Sequence, residues 1–227
     1  PHFGTLTPYN KGLLETAETV DGYELNYVNL PKQTVERVAL PDAVQSLYDH
    51  EYPQLAVPTA PGDSRFALLF PSENKVFLFK DLSDKQPVEI QPTPGKLNEV
   101  GRTSSLSYFG NTVVLYLGAT ELDTEGTVAT DTEGSGKPAG DLKTYLLEYD
   151  ASGKQTSNLT LPEGEGINAV YKLSDEFYGA QSVNSFVFYH RSGNNLDAVY
   201  DLPDVASWTT FQDKTYLQAD GVLYEFA

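Results

Sequence analysis

Four times along this chain the same short pattern returns: a strand rich in aromatic and aliphatic residues, a polar turn, and a second strand. The copies run from Tyr23 to Asp42, from Val76 to near Pro94, from Tyr145 to Glu163 and from Phe186 to Asp204. Each reads as a β-hairpin, because extended apolar runs flank turn residues that accept tight backbone geometry. Three copies close on the same corner, Leu40-Pro41-Asp42, Leu161-Pro162-Glu163 and Leu202-Pro203-Asp204. A fifth copy, Val222 to Phe226, stops after its first strand. Counted from Glu24, Val76, Tyr145, Phe186 and Val222, the intervals are 52, 69, 41 and 36 residues. The long interval contains an acidic, Gly- and Thr-rich stretch from residue 119 to 142 with no apolar period.

The strands within the repeat predict packing on two faces. Val76 to Phe79, Val113 to Leu117, Thr144 to Tyr149 and Phe186 to Tyr189 are apolar almost without interruption. A sheet with one wet face would alternate apolar and polar residues, and these runs do not. Each sheet is therefore expected to lie between two others. One helical turn is expected over Ala43 to His50, with Val44, Leu47 and Tyr48 on one face.

On these hairpins, recurring over nearly the whole chain, the sequence resembles β-propeller proteins at the level of fold. With the acidic stretch set aside, the long interval falls to about 45 residues, close to a propeller blade. The resemblance implies an all-β fold, a small five-bladed propeller of antiparallel meander blades occupying residues 1–227 as one unit. A β-sandwich is the alternative. It also implies a ring closed by the two termini, with Phe3 to Pro8 completing the half-finished fifth copy, since it resembles Asn158 to Pro162.

Composition narrows the partners. The net charge is −17, from 32 acids against 15 bases, and the isoelectric point is near 4.4. Such a surface repels nucleic-acid phosphates and anionic lipid. No run approaches the roughly 18 apolar residues of a membrane helix. Cysteine is absent, which excludes disulfides, thiolate metal ligands and a Cys nucleophile. A chain that begins at Pro1 and holds no Met is expected to be processed, with any leader or anchor upstream. Abundant acids and few lysines suit an exported, extracytoplasmic domain of bacterial type.

Motifs that carry chemistry are sparse. His2, His50 and His190 fall in different repeats and lack the short spacing of zinc ligands. Gly134-Ser135-Gly136-Lys137 lacks the Ser or Thr and the strand-to-helix setting of a phosphate loop. No Gly-x-Ser-x-Gly elbow occurs. Asn158-Leu159-Thr160 fits a glycosylation pattern. The expectation is a non-catalytic extracytoplasmic interaction or scaffold module, a lipoprotein or an accessory subunit of an envelope complex, with no cofactor and no metal. Its partner is expected to be a protein with a basic surface. Contact is expected at Asp123, Glu125, Asp131 and Glu133 of the acidic stretch, and at the corner acids Asp42, Glu163 and Asp204. The alternative is a carbohydrate-binding or glycosidase-like propeller, for which Trp208 and Tyr48 are the candidate aromatics.

Overall fold

The computed structural model describes residues 5–20, 22–93, 103–120, 142–161, 167–182, 185–203, 205–211, 214–219 and 221–226. Blade 1 is β1 (Thr5–Tyr9), β2 (Gly12–Thr19), β3 (Gly22–Asn29) and β4 (Thr34–Arg37), followed by the short helix α1 (Asp42–Tyr48). Blade 2 is β5 (Gln54–Ala56), β6 (Phe66–Phe70), β7 (Lys75–Phe79) and β8 (Val88–Ile90). Blade 3 is β9 (Thr103–Phe109), β10 (Thr112–Thr120), β11 (Leu142–Tyr149) and β12 (Gln155–Leu159). Blade 4 is β13 (Ala169–Lys172), β14 (Phe177–Gln181), β15 (Ser185–Ser192) and β16 (Asn195–Pro203). Blade 5 is β17 (Val205–Phe211), β18 (Lys214–Ala219) and β19 (Val222–Phe226). Every blade is an antiparallel meander in chain order, and the five sheets form a ring: a five-bladed β-propeller.

The sequence repeat corresponds to the third and fourth strands of each blade, and the fifth copy to β19 alone. The two dry faces have a direct cause. Along β6, Ala67 and Leu69 pack on Val113 and Leu115 of blade 3, while Phe66, Leu68 and Phe70 pack on Tyr9, Leu14 and Tyr48 of blade 1. Successive side chains point to opposite faces, so a strand between two neighbours must be apolar at every position. Similar clusters join blade 3 to blade 4 through Val114, Leu146 and Tyr178, and blade 4 to blade 5 through Phe186, Phe188 and Leu217. Each fully buried Leu or Phe contributes about 1.5–3 kcal/mol, so these clusters hold the ring.

Two expectations need correction. Residues Thr5 to Pro8 do not complete blade 5; they belong to β1, which pairs with β2 from Thr5↔Thr16 to Tyr9↔Gly12. A local hairpin wins because Asn10 takes a left-handed turn conformation (φ 50°) and closes the loop over two residues. The acidic stretch is also shorter than its composition suggests. Ala119 and Thr120 extend β10, and Leu142 opens β11.

Candidate functional site

The first strands of the blades line the centre of the ring, where β5 and β13 both touch β9. Polar side chains tie these strands together. Gln54 Nε2 donates to Ser104 O at 2.9 Å, Thr103 Oγ1 to Ile167 O at 2.8 Å, and Ser105 Oγ accepts from Val170 N at 3.0 Å. Two cavities open along this centre and share Leu55, Leu106 and Tyr171. The smaller, about 320 Å³, lies where the first strands begin, among Thr5, Gln54 and Ser104. The larger, about 710 Å³, lies where they end and draws lining from all five blades.

The larger cavity is aromatic, proline-rich and close to neutral. Tyr9, Tyr108, Tyr171 and Trp208 line it, with Pro58 and Pro61 from the loop between β5 and β6. Gly62 turns that loop with φ 80°. Tyr9 donates its phenol to Ser64 O. Burial, helped by Asp81, raises Tyr9 to about 12, and burial alone raises Tyr171 to about 12. Burial also lifts Tyr108 above the ordinary phenol range. All three are therefore neutral hydroxyls at physiological pH. Trp208, half-buried, donates Nε1 to Gln181 Oε1 at 2.9 Å and leans on Tyr171 with ring centres 3.7 Å apart.

The charges at its rim are paired. Arg65 forks onto Asp63, with Nε at 2.9 Å from Oδ1, and lies 5.7 Å from the centre of the Tyr108 ring. The hydrogen bond from Arg65 holds the Asp63 carboxyl below the usual carboxylate range. Lys172 also lines the cavity and reaches a buried carboxylate between blades 3 and 4. Its Nζ sits 3.0 Å from Glu148 Oε1 and 3.1 Å from Asp175 Oδ1. Glu148, 3% exposed, also accepts from the Tyr178 hydroxyl at 2.6 Å and faces Arg191 Nη1 at 3.5 Å. Burial pushes the Glu148 carboxyl up, but hydrogen bonds from Tyr178, Ser157 and Lys172, with the Lys172 charge, outweigh it and hold it below its usual range. A pocket of this chemistry recognises neutral polar and apolar groups by stacking and hydrogen bonding.

Of the anticipated contact residues, only Asp42 lies among the described residues. Asp42 is exposed in the first turn of α1, where a carboxylate suits the helix dipole. Asp123, Glu125, Asp131, Glu133, Glu163 and Asp204 lie outside the described residues. Of the two candidate aromatics, Trp208 lines the cavity, whereas Tyr48 is fully buried against Phe70 in the core between blades 1 and 2. His2 lies outside the described residues, His50 follows α1, and His190 stands in blade 4 beside Phe177. Among the described residues no three His, Asp or Glu side chains cluster, and no helix is long and apolar enough to cross a membrane. Sequence reasoning passed over Tyr9, Tyr108 and Tyr171. It also passed over Glu148, whose signal was a single acid inside the apolar run Tyr145 to Tyr149.

No protein family and no characterised protein sequence matches the chain. Solved structures do resemble it. YCF48 bound to a D1 peptide shares 7% identity over 98% of this chain and 64% of that one, with a TM-score of 0.52. This chain thus spans a little under two thirds of that protein's length. An exported protein proposed in Bacteroides fragilis shares 11% identity over 100% of this chain and 71% of that one, at 0.43. Hsv2 of Kluyvelomyces marxianus shares 12% over 98% and 76%, at 0.39. At these identities the likeness concerns the fold.

Proposed function

We propose that this chain is a non-catalytic protein-interaction module that receives a peptide or loop of its partner in the larger central cavity. The observation that carries the reading is the lining: four aromatic side chains and three prolines on the ring, with neighbouring charges already paired. Such a surface rewards an extended segment with apolar and neutral polar side chains. By analogy of fold alone, the peptide carried by YCF48 agrees with this use of a propeller. The net charge of −17 adds long-range attraction for a basic partner. The acidic, lysine-poor composition further supports a role outside the cytoplasm, as a lipoprotein or accessory subunit in the cell envelope. Fractionation with an antibody against the chain tests that placement, and a cytoplasmic pool would overturn it.

The direct test uses Trp208, the only Trp. Peptides selected from a random display library against the protein should shift its fluorescence and should lose binding in Tyr108→Ala and Tyr171→Ala variants. Binders indifferent to both substitutions would remove the cavity from the interface. The half-buried Trp208 leaning on Tyr171 also supports carbohydrate recognition, since sugar rings stack on aromatic faces. A glycan array that yields ligands while peptide selection yields none would favour that second reading.

A further inference from the structure

The geometry points to a second docking site, on the outer edge of blade 5, which takes an extended partner segment that alternates aliphatic with basic residues. This deepens the reading of the chain as a protein-binding module. Among the described residues, blade 5 has three strands and β19 forms its outer edge, whereas β3, β7, β11 and β15 are each flanked by a fourth strand.

Those fourth strands follow one rule. Each strand, or in blade 1 the residue just after it, buries an aliphatic side chain against the third strand, on the face turned to the next blade: Val38 by Leu25, Ile90 opposite Val76, Leu159 opposite Leu146, and Leu202 opposite Phe186. The residue just before that anchor is polar in every case, as Arg37, Glu89, Asn158 and Asp201. In blade 5 the pairing Gln218↔Leu223 puts Leu223 on the corresponding face, because Leu217 and Ala219, one position away on either side, pack on blade 4. Leu223 is 69% exposed. Blade 1 lies on that side of the ring, and its face turned away from blade 2 carries Leu6 and Val35, 54% and 64% exposed. An aliphatic anchor opposite Leu223 would lie on the face of blade 5 turned toward blade 1.

The edge is also sparsely charged. β4 carries Glu36 and Arg37, and β16 carries Asp197 and Asp201, whereas β12 has no charge and β8 and β19 have one acid each, Glu89 paired to Lys75 and Glu225 paired to Lys214. An unguarded apolar edge is a template for strand addition. The occupant's chemistry follows from the register. A bulky aliphatic faces Leu223, and a basic residue before it lies over Tyr224, where a cation meets an aromatic face. A second copy of this chain fits less well, because each copy carries −17 and an acid on the same edge.

The probe is an acetylated heptapeptide alternating lysine with valine and isoleucine, titrated into the labelled full chain while amide exchange is followed by NMR. Protection gained at Val222 to Phe226 is the expected result. Binding should weaken at least tenfold when glutamates replace the lysines. It should vanish when prolines replace two aliphatics, and in a Leu223→Lys variant of unchanged melting temperature; Leu223→Ser serves if lysine disturbs the fold. No change at β19 would overturn the site, as would protection already present in the free monomer, which means the chain covers its own edge. Protection rising with protein concentration would overturn it in favour of a second copy. Trp208 fluorescence reads the central cavity separately, so either site can fail without the other.

Discussion

Replacing Glu148 by alanine removes the acceptor on which blades 3 and 4 lock together. In the native protein this carboxylate meets Lys172 at 3.0 Å, Tyr178 at 2.6 Å and Arg191 at 3.5 Å, and Glu148 and Lys172 are only 3% and 6% exposed. Without it, Lys172 keeps Asp175, which is largely in water, and its place over the Phe109 ring, and the Tyr178 hydroxyl loses its acceptor. Breaking a buried ion pair by removing one partner costs about 3–5 kcal/mol, and an orphaned hydroxyl adds about 1 or more. We expect a loss near 5 kcal/mol for Glu148→Ala. At about 2–4 °C per kcal/mol for a chain of this size, the melting temperature should fall by roughly 10–20 °C. Removing Lys172 as well, in Glu148→Leu/Lys172→Met, should recover much of the loss, because the burden is the unpaired charge rather than the absent attraction.

The same carboxylate makes a pH prediction. Its folded pKa is held below the ordinary glutamate value, so its contribution is complete above about 4.5 and is lost as the pH falls through the folded value. Chemical denaturation from pH 7 to pH 2 should therefore show a shallower acid limb in the Glu148→Ala protein than in wild type. A loss under about 1 kcal/mol, or identical acid limbs, would refute the claim that this cluster holds the interface.

Other outcomes follow from the packing. A Cβ on Gly12 would fall 2.1 Å from the Val28 carbonyl oxygen, so Gly12→Ala should cost about 2–3 kcal/mol by urea denaturation. Gly110 carries a positive φ, 54°, but faces open space, so Gly110→Ala should cost only about 1 kcal/mol. Deleting the chain through Tyr9 should expose the edge of β2 and strip Tyr9 from its contacts with Phe66 and Tyr27. Faster amide exchange should then appear at Gly12–Thr19; a rise confined to Val222–Phe226 would reinstate closure through blade 5. Converting Asp123, Glu125, Asp131 and Glu133 to their amides should leave the melting curve unchanged. It should slow association with a basic partner at low salt, and equal rates would exclude steering by that stretch.

What could be read in the sequence, and what could not, divides along the radius of the ring. The middle strands announce themselves because neighbours cover both faces, so Phe66-Ala67-Leu68-Leu69-Phe70 is apolar at every position. The third and fourth strands repeat because blades 1 to 4 each bury an apolar pair there, as with Val76 and Ile90. The first strands have no such pressure. One side of each faces an open cavity, so β1 tolerates Thr7 and Pro8, β5 Gln54, and β9 Ser104, Ser105 and Ser107. A pattern search weighted toward burial passes over these strands, and they are the ones that build the site. The misassigned N-terminal strand has the same origin. Thr-Leu-Thr-Pro resembles Leu-Thr-Leu-Pro in composition, but composition carries no pairing information, whereas the turn at Asn10-Lys11 does. The residues that open the cavity are therefore legible from turn chemistry and from the spacing left between apolar strands. The 57–65 loop, with two prolines and a left-handed glycine beside the larger cavity, is where that approach would have found the site first.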